Sequence, residues 1–302
     1  MDCFSKRGLV VSFEEGGLDQ HLTLIKERNS SEGFVFEVPY YVTYKRRSAG
    51  LDLVLADLKS SKRKKIKKFL KRDDVVFGFF QGVHFDLFQK WYEGVYVPLM
   101  DAKEGGRLAA SRDWPLKNSQ DTFGVIAANK DGEVIGGVFG RRFDSSVDFS
   151  ERVSISYSGF KKDSSLRGLS EACNALFIDF VNKMQISFIT RGRDFNLYGL
   201  NLSTGLPKFK CDLGFSLDVI SKQGFYKFKF CNISLFKKDI FFVSRDKGKL
   251  IGNYISSDFD SYNAFLLQGL NALDIFKKVY APNNNGEQGS QQSIGFVKRV
   301  EL

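Results

Sequence analysis

The spacing of apolar residues predicts alternating strands and helices, most clearly between Val125 and Phe215. Thr122 to Ala128 and Val134 to Phe143 read as two strands joined through Asn129-Lys130-Asp131-Gly132, whose Asp-Gly step supplies hairpin-turn geometry. Val153 to Phe160 alternates Val153, Ile155 and Tyr157 with Ser154, Ser156 and Ser158, the period of a strand. Leu169, Ala172, Cys173, Leu176, Phe177, Phe180, Val181 and Met184 recur at helical spacing, and a short strand from Ile186 to Thr190 follows. The polar, basic Arg191-Gly192-Arg193-Asp194-Phe195-Asn196 continues from it.

Outside this stretch, Gly8 to Phe13 reads as a short strand, and Phe34 to Tyr44 as a strand interrupted or placed at an edge by Pro39. Ser60 or Ser61 is expected to cap a helix whose apolar face is Ile66, Phe69 and Leu70. Phe85, Phe88, Trp91, Tyr92, Val95 and Leu99 predict an amphipathic helix over 84–100. Residues 101–121 read as a loop with a short helix near Arg107 to Ser111. Towards the end the pattern predicts a hairpin of Gly224 to Phe230 with Lys238 to Ser244, a turn at Asp246-Lys247-Gly248, and a helix at about 260–279. Residues 281–293 are low in complexity and expected to be mobile, and Ile294 to Val300 is expected to form an edge strand.

Composition narrows the chemistry. The chain of 302 residues is long enough to bury a sizeable core, and its 31 Phe favour strands and large-side-chain packing. Four widely spaced cysteines form no CxxC pair, so neither a zinc site nor a disulfide framework is expected. Only two histidines are present, which argues against Ser-His-Asp or Cys-His catalysis and against a histidine-ligated metal. The first residues lack a signal-peptide apolar core, and no run approaches the roughly 18 apolar residues of a membrane span, so a cytoplasmic location is expected.

The net charge of +10 points to a polyanionic partner, RNA or a nucleotide-bearing molecule or an anionic membrane surface. Residues 59–72 hold nine Lys or Arg. Two readings stay open for this run, a solvated helix face and a phosphate-attracting wall; a nuclear localisation signal is a third.

The loop Ser164 to Leu169 opens directly into a helix, whose free N–H groups and positive dipole end suit phosphate oxygens, and Arg167 adds a charge. With strands on either side, this is a βαβ unit whose strands are expected to offer a sheet edge and to splay around a ligand cleft.

The order Asp-Gly-Glu-Val-Ile-Gly-Gly (131–137), strand, Arg-Gly loop, helix, strand and Phe-Lys-x-x-Leu-Gly-Phe (209–215) resembles the GNAT superfamily of acyltransferases, and within it the FemAB and CelD-like branch. The basic helix Ser61-Lys62-Arg63-Lys64-Lys65-Ile66-Lys67-Lys68 and the closing Gly205-Leu206-Pro207-Lys208-Phe209-Lys210-Cys211-Asp212-Leu213-Gly214 are similar to that branch's motifs, with Leu213 where a Phe is usual. The similarity covers about 60–215. It implies an α/β (α+β) fold, a GNAT-like mixed twisted sheet flanked by helices, with the possibility of two GNAT-like halves. The implied division is an N-terminal α/β portion over 1–110, a GNAT-like core over 111–220 and a hairpin-and-helix extension over 221–302.

The resemblance further implies an N-acyltransferase, in which an amine attacks an activated acyl carbonyl without a covalent enzyme intermediate. The donor is aminoacyl-tRNA or acyl-CoA as co-substrate, with no tightly bound cofactor and no metal. Ser164, Ser165, Arg167, Gly168 and Leu169 would face the donor phosphate, and Lys210 would stabilise negative charge at the reacting ester. A backbone N–H on the 153–160 strand would meet the carbonyl oxygen. Asp194 is the candidate base and Tyr157 or Tyr198 the proton donor; Lys62, Arg63, Lys65, Arg191 and Arg193 are the candidate phosphate- and substrate-binding cations. Many CoA-dependent members place a Tyr where this chain has Phe209, which favours an ester donor. Possible partners are tRNA, an amine-bearing small molecule or peptide, and a membrane surface at its periphery. A non-catalytic RNA-, nucleotide- or partner-binding protein on the same scaffold remains the alternative.

Overall fold

The computed structural model describes residues 9–10, 34–39, 41–82, 84–102, 111–117, 121–144, 151–195, 198, 205–218, 225–230, 240–246, 249–255 and 276–280. The sequence expectations for 281–293, for Ile294 to Val300 and for Arg107 to Ser111, except Ser111 itself, lie outside them. The chain divides into two compact units. The first comprises Tyr44–Gly192 with Asp212–Phe215, and the second Met1–Thr43, Arg193–Cys211 and Ser216–Leu302.

In the second unit, β1 (Leu9–Val10) and β2 (Phe34–Pro39) flank β10 (Phe225–Phe230) in an antiparallel sheet. Strands β11 (Ile240–Asp246) and β12 (Lys249–Ile255) pair antiparallel, with Asp246 opposite Lys249; Lys247 and Gly248 of the predicted turn lie outside the described residues. The predicted pairing of Gly224–Phe230 with Lys238–Ser244 is not formed, because β10 and β11 belong to different sheets. Apolar alternation marks a strand but says nothing of its partner. Of the helix expected at about 260–279, residues 260–275 lie outside the described residues; from Phe276 the chain is instead β13 (Phe276–Tyr280), held as a strand by its parallel pairing with β12.

The first unit is built on strands in the order β4-β5-β6-β7-β8-β3. They are β3 (Tyr41–Arg47), β4 (Val75–Gln81), β5 (Thr122–Asn129), β6 (Val134–Asp144), β7 (Glu151–Phe160) and β8 (Phe188–Phe195). The run Phe34 to Tyr44 is therefore two strands, with Pro39 the last residue of β2. Pairing is antiparallel from β4 to β7 and parallel between β7 and β8, which makes the sheet mixed. The predicted hairpin and its following strand lie inside this sheet; one edge is β4, an uncharged Val-Val-Phe-Gly-Phe-Phe-Gln run.

Helices flank the sheet. Of the stripe the periodicity marked, the α6 helix (Leu169–Lys183) buries Leu169, Ala172, Cys173, Leu176, Phe177 and Val181, and Ile178 joins them, whereas Phe180 is partly buried and Met184, just past the helix, is exposed. Packed on α6 are α1 (Leu51–Ala56) and α2 (Ser60–Leu70). The first residue of α1, Leu51, donates its backbone N–H to Asp179 Oδ1 of α6 at 2.9 Å, a long-range cap replacing the side-chain cap that Gly50 cannot supply. The N-cap of α2 is Lys59, not Ser60 or Ser61, and no side chain caps it. Helix α3 (Phe85–Trp91) continues through a π-helical turn at Tyr92–Tyr96 into α4 (Val97–Asp101). It places Phe88 and Trp91 against Phe139 and the indole N–H of Trp91 on the Gly159 carbonyl at 3.1 Å. Short α5 (Trp114–Lys117) completes this aromatic layer. The predicted closing phrase opens as α7 (Gly205–Cys211), and β9 (Ser216–Asp218) follows it.

Candidate functional site

The loop that precedes α6 is organised by its own polar residues. Asp163 Oδ1 accepts the Ser165 N–H at 2.7 Å, and a single 3-10 turn runs over Ser164–Leu166. That bond and Arg72 hold the Asp163 carboxyl below the usual range. Arg72 also donates to the Ser165 carbonyl and to Asp74. Gly168 then takes φ +113°, a conformation that favours glycine, and a Cβ there would lie 3.3 Å from Lys65 Cγ. The N–H groups of Leu169, Ser170 and Glu171 have no acceptor within the helix. Ser165 and Arg167 are exposed, whereas Gly168 and Leu169 are buried, so Leu169 offers the loop its backbone and gives its side chain to the core.

On the far side of α6 the two parallel strands separate. Register runs from Arg152↔Phe188 to Ile155↔Arg191, while β7 continues against β6 to Phe160. A bulge sits at the point of divergence: Phe139 faces Tyr157 and Gly140 faces Ile155, leaving Ser156 as the extra residue. Arg191 occupies the fork. Its guanidinium donates to Asn174 Oδ1 of α6 and, at 3.1 Å, to Ser158 Oγ of β7, and Asn174 Nδ2 donates to the Ser170 carbonyl at 2.7 Å. Arg191, expected as a substrate-binding cation, is therefore buried and engaged by the protein itself.

Tyr157, beyond the bulge, lies half-buried with its ring edge-on to Trp114 at 5.1 Å and near Tyr96 at 6.3 Å. Burial, and then the Tyr96 hydroxyl, push its pKa up, so it stays protonated at neutral pH.

In the second unit, the end of β8 and α7 bring together Asp194 and Lys210, two predicted residues sixteen positions apart. Lys210 Nζ donates to Asp194 Oδ1 at 2.6 Å, and the Tyr198 hydroxyl donates to Asp194 Oδ2 at 2.8 Å. All three side chains are buried. Tyr198 is fixed by a reciprocal pair of backbone hydrogen bonds with Phe241 and by ring packing on it at 5.9 Å. Asp194 thus accepts two donors at once.

The predicted cations of α2 differ from one another. Lys62 pairs with buried Asp212 at 2.8 Å and Lys65 with Glu171 at 2.6 Å, whereas Arg63 is partly exposed. The side chain of Arg193 lies outside the described residues. Sequence reasoning overlooked Asn174, Asp212 and Arg46. Arg46 is buried, donates to the Leu213 carbonyl, lies 3.5 Å from Asp57 and covers the Phe215 ring. Burial pulls its pKa down and Asp57 opposes that shift. Their signal was weak: Asn174 is a single polar residue in an apolar stretch, Asp212 sits within the closing phrase, and Arg46 lies in the run Lys45-Arg46-Arg47, where nothing marks the buried cation from its neighbours.

Among the described residues no group of three or more His, Cys, Asp or Glu is placed to hold a metal ion. No helix among them is long and apolar enough to cross a membrane.

No family model matches the sequence, and no curated protein matches it. Among solved structures the chain is similar to FemX (10% identity, TM-score 0.45, 63% of this chain and 61% of FemX). It is also similar to L-PGS from Bacillus licheniformis (14%, TM-score 0.40, 67% and 64%). A third is a tandem GNAT protein from the clavulanic acid biosynthesis pathway (8%, TM-score 0.36, 65% and 55%). The chain spans less than two thirds of each of these proteins.

Proposed function

We propose that this protein is an N-acyltransferase, moving an acyl or aminoacyl group from an activated donor to an amine. The observation that carries the reading is the forked pair β7 and β8, diverging after Ile155↔Arg191 beside a helix that starts at Gly168. Diverging parallel strands open a cleft, and a helix start with unsatisfied N–H groups suits a donor phosphate. Ser164, Ser165, Arg167, Gly168 and Leu169 form that phosphate-facing turn in this reading. The amine nitrogen attacks the acyl carbonyl carbon, the tetrahedral oxyanion collapses with loss of the donor oxygen or sulfur, and the amine proton passes to that leaving atom.

Lys210 is the proposed cation for the oxyanion. Its contact with Asp194 favours a change in the role of that carboxylate. With one oxygen taken by the ammonium and the other by the Tyr198 hydroxyl, Asp194 is a positioning residue that orients Lys210. Tyr157, held protonated, is the proposed proton donor. Phe209 favours an ester donor, aminoacyl-tRNA, over acyl-CoA, with the reaction taking place in the cytoplasm.

Incubation with labelled acetyl-CoA and with charged tRNA, each with a panel of amines, tests the proposal. Transfer from either donor supports it, and transfer from tRNA alone assigns the donor. No transfer from either overturns it.

A further inference from the structure

Helix α2 sorts its cations into two classes. Buried Ile66 and Phe69 define its inner face. At about 100° per residue, Lys62 and Lys65 fall on that side, and each finds a carboxylate there, Asp212 and Glu171. Arg63, Lys64, Lys67, Lys68 and the C-cap Lys71 fall on the opposite arc, about 140° wide. Lys64, Lys67, Lys68 and Lys71 are exposed and Arg63 is partly so. Among the described residues none of these five has an ion-pair partner. The only other residue on the arc is Ser60, so it holds neither an acid nor an apolar side chain.

This arrangement is costly without a partner. Arg63 and Lys67, Lys67 and Lys71, and Lys64 and Lys68 are like charges at i,i+4, each pair destabilising the helix. An anionic partner relieves all three and gains further from counterion release. The arc lacks an apolar or aromatic residue to insert into a bilayer, which separates it from an interfacial membrane helix. Because α2 is packed on α6 through its inner face, the arc is the part of the helix open to a partner, and its side chains are cations that suit backbone phosphates. A-form RNA closes its deep, narrow major groove to side chains and is recognised mostly by shape and by phosphate and 2′-hydroxyl contacts, so a face of cations without base-reading groups suits its backbone.

We propose that the outer face of α2 is a docking surface for the phosphate backbone of double-helical RNA, gripped by Arg63, Lys64, Lys67, Lys68 and Lys71. This surface is independent of the acyl-transfer reading, and neither requires the other.

The test is binding of the full chain to a short fluorescent RNA duplex of random sequence, across a salt series. With three to five phosphates neutralised, affinity is expected to fall roughly 50- to 500-fold between about 50 and 200 mM salt. The variant with all five cations changed to alanine, residues that favour helix, is expected to keep its circular dichroism and lose both affinity and salt slope. A matched variant that removes five exposed cations elsewhere, with Lys90, Arg112, Lys117, Lys130 and Lys162 changed to alanine, is expected to bind like the parent. An unchanged salt slope in the five-site variant overturns the proposal. So does equal or tighter binding to a DNA duplex of the same sequence or to phosphatidylglycerol vesicles. Binding through α2 without acyl transfer in any assay retains this surface and removes the function proposed above; transfer without such binding does the reverse.

Discussion

Lys210 and Asp194 form a buried ion pair, 2.6 Å from Nζ to Oδ1, with the Tyr198 hydroxyl on the second carboxylate oxygen. Both side chains are buried, so removing either member strands the other charge in the interior. Lys210→Ala leaves a buried carboxylate with one neutral donor, and the expected loss of stability is about 3–5 kcal/mol by urea denaturation. The double variant Lys210→Met with Asp194→Leu removes both charges and is expected to recover most of that loss. Both variants are expected to lose acyl transfer. A double variant that is stable and active would take Lys210 out of the mechanism and leave the pair a structural one.

Gly214 takes φ +78°, and a Cβ there would lie 2.8 Å from Arg46 Nη1, whose guanidinium is held by Leu213 and Asp57. Gly214→Ala therefore combines an unfavourable backbone conformation with displacement of a buried cation. The expected cost is about 1–3 kcal/mol. Gly214→Ala with Arg46→Met relieves the collision but not the backbone, and thermal unfolding of the pair of variants separates the two contributions.

The helical stripe from Leu169 to Val181 was legible because each of its residues repeats one statement, apolar and inward, and α6 begins at the residue the spacing marked. Helix α1 and strand β4 were not foreseen. The first is only six residues long and is capped by Asp179 from 128 positions away, and the second is an uncharged apolar run, where periodicity does not separate strand from helix. For the site, residue types were legible and partners were not. Lys210 and Asp194 were each expected near the chemistry, but nothing in the spacing showed that one holds the other. Nor did the run 59–72 reveal that Lys62 and Lys65 answer acids 150 and 106 positions away.

Asp74 tests the electrostatics of the loop before α6. Two hydrogen bonds from Arg72 hold its carboxyl at about 2, and Arg72 also donates to the Ser165 carbonyl. Because the folded pKa is depressed, the stabilising contribution is present above the unfolded value of about 3.9 and is lost as pH falls through about 2. Carbon-detected titration of the Asp74 carboxyl is expected to show a midpoint near 2, returning towards about 3.9 in Arg72→Ala. A normal midpoint in the parent would mean that Arg72 does not tie the loop in solution.

Arg191 in the fork offers the most direct separation of a structural cation from a substrate-binding one. Its planar guanidinium reaches Asn174 on α6 and Ser158 on β7 together, a two-directional span that an ammonium does not reproduce. Arg191→Lys keeps the charge and loses the span, so a structural role predicts a destabilisation of about 1–3 kcal/mol and a rise in backbone amide exchange along Tyr157 to Phe160. A phosphate-binding role predicts the opposite division: stability near that of the parent, KM for the donor raised, and kcat little changed. Asn174→Ala distinguishes the cases further, since it removes one partner of Arg191 from within α6. If the fork is held by Arg191, Asn174→Ala reproduces the exchange pattern of Arg191→Lys, and combining the two adds less than their sum. Full additivity would show that the guanidinium and the amide act separately, and the fork would then owe its opening to the Ser156 bulge alone.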